Sequence, residues 1–226
     1  MEILKDLFQF FFPELCVACG QLLTSKEKIL CTSCFYHIPR TDFHKFTDNP
    51  VSQLFWGRIK IESATSWFYY FKGSAYQSLI HKLKYNGRKD IGIEMGKAFA
   101  SEILSSPFSK VDILIPVPLH PGKLSDRGYN QSEVIAAGIA CIFNKIILTD
   151  VLIRSTFTET QTRKSRFERF KNMEGKFIVN DKLKILHKHV LLVDDVVTTG
   201  STIESCTQAL LEVPGVRVSV ATLAVA

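Results

Sequence analysis

The sequence predicts an α/β protein, a mainly parallel sheet flanked by helices, with a small four-cysteine module ahead of it. Three observations carry that expectation. Short apolar runs alternate with stretches of helical periodicity from Thr65 to Val225. Four of the six cysteines fall within the first 34 residues as two Cys-x-x-Cys pairs. With 226 residues and 46% hydrophobic content, the chain can bury one large core and still carry a small appendage.

Leu4, Leu7, Phe8 and Phe11 sit at helical spacing and predict a short amphipathic helix packed on the body, a peripheral membrane contact being the other reading, with Lys5 and Asp6 interrupting the apolar run and Pro13 ending it. No small-residue cleavage site follows, so a secretory signal is not expected and the cytoplasm is the expected compartment. The cysteines come next, then the polar stretch Thr41 to Pro50, which reads as a linker. This divides the chain into a module at 1–50 and a larger domain at 51–226. Thr65 to Phe71 predicts a strand, and Ala75 to Lys84 and Ile91 to Leu104 predict helices. Val111 to Pro116 predicts a buried strand, followed by a polar loop and a helix through Val134, Ile135, Ile139, Ile142 and Phe143. The same order recurs at Val190 to Val193, the loop Asp194 to Thr202, and a helix through Ile203, Cys206 and Leu210. A last strand fits Val216 to Val225. Strands buried on both faces and separated by helices pair in parallel. No run of eighteen uncharged apolar residues occurs, so no integral membrane segment is expected.

Cys16-Val17-Ala18-Cys19-Gly20 and Cys31-Thr32-Ser33-Cys34 are two knuckles separated by eleven residues. Two such turns can present four thiolates to one tetrahedral zinc, with zinc–sulfur distances of about 2.3 Å. A site closed by four sulfurs leaves no position for substrate, so the expected role is structural. A redox dithiol or unrelated free thiols are the other readings. His37 and His44 read as surface histidines, and Cys141 and Cys206 as core-packing residues on apolar helix faces.

The formal charge of +6 and pI near 9.0 favour anionic company, small phosphates or polyanions alike. Val190 to Thr202 holds the sharpest chemistry. An apolar strand delivers Asp194 and Asp195 toward its carboxyl end, where open parallel sheets bind ligands. The loop that follows carries Val196, Thr198, Thr199, Gly200, Ser201 and Thr202 and runs into a helix. Its amides and hydroxyls can cradle a phosphate, while two carboxylates beside a phosphate need sugar hydroxyls to face. An acid-capped turn leading into a ligand-free helix is the other reading of the same residues.

All thirteen positions from Val190 to Thr202 match the signature by which type I phosphoribosyltransferases bind phosphoribosyl pyrophosphate. The cysteine knuckles, Lys84-Tyr85-Asn86-Gly87-Arg88, Pro116-Val117-Pro118-Leu119-His120, Arg127-Gly128-Tyr129-Asn130-Gln131 and Thr160-Gln161 resemble the ComF family. That resemblance covers almost the whole chain and implies a type I phosphoribosyltransferase-like fold with an association with natural competence and DNA uptake. It implies that Pro118, His120, Lys123 and Arg127 meet pyrophosphate, a solvated basic loop being the other reading of the same residues. It also places a closing loop at Thr156 to Asn172, with Arg163, Lys164, Arg166, Arg169 and Lys171. Lys84 and Tyr85 fall on the substrate side of a turn that could equally be plain surface.

The expected reaction transfers a phosphoribosyl group to a nitrogen acceptor with magnesium on the pyrophosphate, the catalytic residues Asp194 and Asp195 holding the ribose hydroxyls and stabilising the positive charge that builds on the ring. The alternative is a non-catalytic module for single-stranded DNA or a competence helicase, with the basic loops on the nucleic acid backbone.

Overall fold

Apolar runs buried on both faces need helices above and below, and the chain supplies them in the order in which it is read. The structure is a computed structural model and describes residues 13–154 and 177–226. In chain order the helices are α1 (Thr32–Tyr36), α2 (Pro50–Gln53), α3 (Gln77–Tyr85), α4 (Lys89–Glu102), α5 (Pro121–Arg127), α6 (Gln131–Phe143) and α7 (Ser201–Leu211). The strands are β1 (Ser63–Tyr69), β2 (Ile113–Pro116), β3 (Ile146–Ile147), β4 (Leu152–Arg154), β5 (Phe177–Val179), β6 (His189–Val197) and β7 (Arg217–Val225).

Five strands form one sheet in the order β1-β7-β6-β2-β3, every neighbouring pair parallel. From β6 the chain crosses through α7 to β7 on one side, and from β2 through α6 to β3 on the other. The carboxyl ends of β6 and β2 therefore flank the point where the winding reverses, where doubly wound sheets open a crevice for ligands. Leu191 and Val193 turn to a core shared with α3, α4, α6 and the cysteine segment. Val190 and Leu192 turn to a core shared with α7, Phe43, Val51 and Phe55. On the first face α4 and α6 touch backbone to backbone: a Cβ built on Gly138 would stand 2.2 Å from the Ile93 carbonyl oxygen.

Four local readings change. The loop after β2 contains α5, for which helical periodicity gave no signal because none of its residues is buried. Its ends are set by caps instead: Pro121 stands at the first turn, His120 Nδ1 accepts from the Gly122 amide at 3.1 Å, and Gly128 closes the helix at φ 73°. Strand β6 continues through both aspartates to Val197, because Asp194, Val196 and Val197 stay in register with Thr222, Ala224 and Val225. The polar stretch Thr41 to Pro50 lies against β1: buried Asn49 donates to the carbonyls of Phe46 and Ala64 and caps α2. Cys206 is buried as expected, whereas Cys141 is exposed, on the outward side of α6.

The antiparallel pair β4–β5 brings Arg154 opposite Phe177. The expected N-terminal helix and the basic stretch from Thr156 to Asn172, including Arg163 and Arg166, lie outside the described residues. Among the described residues no helix is long and apolar enough to cross a membrane.

Candidate functional site

The two aspartates of β6 meet different partners. The Asp194 carboxylate accepts from the Ser132 hydroxyl at 2.8 Å and from the Asp195 amide at 2.9 Å. Burial, then the neighbouring Asp195 charge, pushes its pKa up to about 7, and those two donors only partly oppose the rise. Asp195 is 8% exposed, and the Lys84 ammonium from the end of α3 pairs with its Oδ2 at 3.0 Å.

Beyond the acids the chain turns through Thr198, Thr199 and Gly200 into α7, and Gly200 takes φ +75°, a conformation that L side chains rarely adopt. Asp194, Val196 to Thr202 and Ile203 line a cavity of about 60 Å³. That is several times the ~10–15 Å³ needed to admit one water, so a small oxyanion group can enter. Thr198, Thr199, Ser201 and Thr202 are exposed at this corner, with the Thr199 and Ser201 hydroxyls 2.9 Å apart.

The underside of the turn is occupied by a segment that sequence reading left without a role. A Cβ at Gly200 would stand 2.9 Å from the Phe55 ring. The Arg58 guanidinium donates to the carbonyls of Leu54 at 3.0 Å and Thr199 at 3.2 Å, and pairs with Glu204 of α7. Arg58 is separated from these last two partners by 141 and 146 residues. No local pattern could have exposed it. Ser132 was missed for the same reason, although Asn130-Gln131 immediately before it had been singled out.

Arg127 leaves the end of α5 with its guanidinium 5.1 Å from the Tyr85 ring centroid, and it donates to Gln131 Oε1 at 2.7 Å. Tyr85 is 64% exposed despite this contact. Asn130 donates to the Val117 carbonyl at 3.0 Å, tying the end of β2 to the start of α6. Lys84 is thus joined directly to the acid pair and Tyr85 to Arg127, whereas Pro118, His120, Arg127, Lys84 and Tyr85 do not line the small cavity. His120 is exposed and uses its Nδ1 as the cap of α5.

At the amino-terminal end the Sγ atoms of Cys16, Cys19, Cys31 and Cys34 all lie within 4.8 Å of one another. A tetrahedral zinc with bonds of about 2.3 Å sets its sulfurs about 3.8 Å apart, and the Cys19 and Cys31 sulfurs are separated by 3.8 Å. Amides of Cys31 and Cys34 donate to the Cys16 and Cys31 sulfurs at 3.3 and 3.4 Å. Burial pushes the Cys16 thiol up, but the amides of Cys31, Cys19 and Ala18 outweigh it and hold it at about 6. Cys34, half-buried, is pushed well above the usual thiol range by desolvation and by the other three sulfurs beside it. Four thiol sulfurs at this spacing are the donor set of a structural zinc, and they fit one.

A winding-reversal crevice with paired acids and a hydroxyl-rich turn defines a phosphoribosyltransferase-like domain, and residues 129–225 match the family described as Phosphoribosyl transferase domain. The chain is 28% identical to DNA utilization protein YhgH of Shigella flexneri over 205 residues, covering 87% of this chain and 84% of that protein. To the protein of the same name from Salmonella typhimurium it is 31% identical over 137 residues, reaching 59% of this chain and 60% of the relative. It is 32% identical over 100 residues to Competence protein F of Haemophilus influenzae, 44% of each chain. Among solved structures, the glutamine phosphoribosylpyrophosphate amidotransferase from B. subtilis aligns with 62% of this chain and 30% of its own. The TM-score there is 0.41 and the identity 20%. The cysteine cluster, the transferase-type domain and these relatives support the resemblance to the ComF family.

Proposed function

We propose that the protein binds phosphoribosyl pyrophosphate and transfers its phosphoribosyl group to a nitrogen acceptor, in a role connected with DNA uptake. The observation that carries this reading is the junction of Asp194 and Asp195 with the small hydroxyl-lined cavity at the start of α7. The amides and hydroxyls of Thr198 to Thr202 hold the 5-phosphate, and the carboxylates accept from the ribose hydroxyls.

In the reaction the acceptor nitrogen bonds to the anomeric carbon while the bond from that carbon to pyrophosphate oxygen breaks, and the pyrophosphate leaves with the electron pair. Positive charge grows on the ring in such sugar transfers, and the two carboxylates stabilise it. Lys84 exchanges its contact with Asp195 for the departing phosphates, and Pro118, His120 and Arg127 present the loop after β2 to the same charge. Arg163 and Arg166 belong to the expected closing loop and serve there by neutralising phosphate and excluding water. Magnesium, when bound with the substrate, neutralises pyrophosphate oxygens; it keeps waters and phosphate oxygens as ligands, so no cage of protein carboxylates is required. Cys16, Cys19, Cys31 and Cys34 hold a structural zinc in the module at 1–50, the transferase-like domain is 51–226, and the protein acts in the cytoplasm.

Calorimetry with magnesium and phosphoribosyl pyrophosphate tests this. Wild type is expected to bind and Asp194→Asn with Asp195→Asn to bind about tenfold or more weakly, since charge-assisted hydrogen bonds to the ribose become neutral ones to the amide oxygens. Equal heats from both proteins would remove the enzyme reading. Salt-sensitive binding of single-stranded DNA that survives the double substitution would favour a module for DNA or a helicase partner instead.

A further inference from the structure

We infer that Arg58, which lies outside every motif of the site, is a positioning residue that aims the phosphate-binding amides from behind. The inference rests on the ribose-phosphate reading of this corner and says what makes the corner an anion site.

A peptide group is planar and trans, so its C=O and N–H point in opposite directions. The carbonyl of Thr199 and the amide of Gly200 belong to one such group. Arg58 Nη1 holds that carbonyl at 3.2 Å, on the side where Phe55 and Leu54 pack against Gly200. The small cavity lies elsewhere: its lining comes from Asp194 and from Val196 to Ile203, without Leu54, Phe55 or Arg58. The Gly200 N–H is thereby turned away from the packed side, and among the described residues no acceptor takes it. A peptide flipped the other way would put a carbonyl oxygen toward the anion and an amide toward the guanidinium, replacing two attractions by two repulsions.

Three features make Arg58 suited to this. It is fixed at three points, by the carbonyls of Leu54 and Thr199 and by the Glu204 carboxylate. Glu204 lies in the first turn of α7 and its own amide donates to the Gly200 carbonyl at 2.8 Å, so the clamp joins both ends of the turn. Gly200 has no Cβ to bias the turn sterically, and the Arg58 guanidinium tethers the neighbouring peptide from outside. A lysine offers one ammonium where the planar guanidinium serves two carbonyls and a carboxylate together.

Calorimetry with ribose 5-phosphate, paired with heteronuclear NMR of protein labelled at glycine nitrogen, tests the inference without turnover. Wild type is expected to bind and to show a large downfield shift of the Gly200 amide on binding. Arg58→Ala and Arg58→Lys are both expected to bind about tenfold or more weakly, the size of one lost hydrogen bond to a charged group, and to lose the Gly200 shift while the other glycine resonances stay folded. Binding and a Gly200 shift in both variants equal to wild type would overturn the positioning role and leave the ribose-phosphate site standing. Failure of wild type to bind would overturn both. Recovery of affinity and of the shift in Arg58→Lys would also overturn it, since charge alone would then suffice. If Arg58→Ala does not fold, Arg58→Lys alone decides between these outcomes.

Discussion

The cysteine cluster falls between residues 16 and 34, while the acid-phosphate corner draws on residues 58, 84, 132 and 194 to 204. The first gathers four thiols from two nearby turns into a set that fits one structural zinc. The second exists only because a parallel sheet, three helices and an irregular segment converge. One region therefore depends on metal and short-range geometry, the other on the whole fold.

The hardest way to break the contrast is to take the metal away. Cys16→Ser with Cys31→Ser should abolish zinc content and remove binding free energy on the order of 10 kcal/mol, read by metal analysis and thermal denaturation. A metal-free variant with an unchanged melting profile would show that the cluster does not hold its segment together.

Next in size is Gly138→Ala. Its Cβ meets the Ile93 carbonyl oxygen, so the α4–α6 contact has to open, at a cost of about 1–3 kcal/mol in chemical denaturation. Because the acid corner is assembled across the fold, ligand affinity should fall with stability while zinc content stays constant. Loss of zinc with affinity unchanged would reverse the comparison.

A smaller effect follows from Asp194, whose carboxyl is held near 7 against an ordinary value of about 3.9. Between those values the folded chain keeps a proton that the unfolded chain has released. Stability from this group is therefore fullest on the acid side and declines as pH rises through 7. Asp194→Asn removes the decline, so its melting temperature should gain on wild type from about pH 4 to about pH 7 and hold that gain above it. Parallel curves would show the carboxyl to be unperturbed.

Least is expected from Lys28→Met, which removes an exposed ion pair to Glu94 at 3.1 Å. Such pairs contribute about 0–1 kcal/mol, so a loss beyond that in denaturation would mean that the junction between the cysteine segment and α4 is held by charge rather than by Leu30 and Met95.

Much of the fold was legible because its signals are local. Val190 to Val193 and Ile113 to Ile115 announced buried strands by composition, and Ile135 and Ile139 announced a helix by spacing. Helix α5 was not legible by periodicity because it buries nothing, although Pro121 and Gly128 at its ends carried the cap signal. Strands β4 and β5 are three residues each and stabilise only as a pair, so neither run stood out alone. Cys141 was misplaced because helical spacing gives the direction of a face approximately, and one step around α6 separates packed from exposed.

The chain's order of residues alone determined the four thiols at metal-binding spacing, the succession of strands and helices, and the acids followed by hydroxyls and glycine. Each rests on chemistry between near neighbours in sequence, which spacing encodes. Tertiary structure decided that Lys84 reaches Asp195, that Ser132 reaches Asp194 and that Arg58 grips the turn from behind. Those contacts join segments dozens to more than a hundred residues apart, and only the sheet order and the packing of the helices on it bring them within a hydrogen bond of each other.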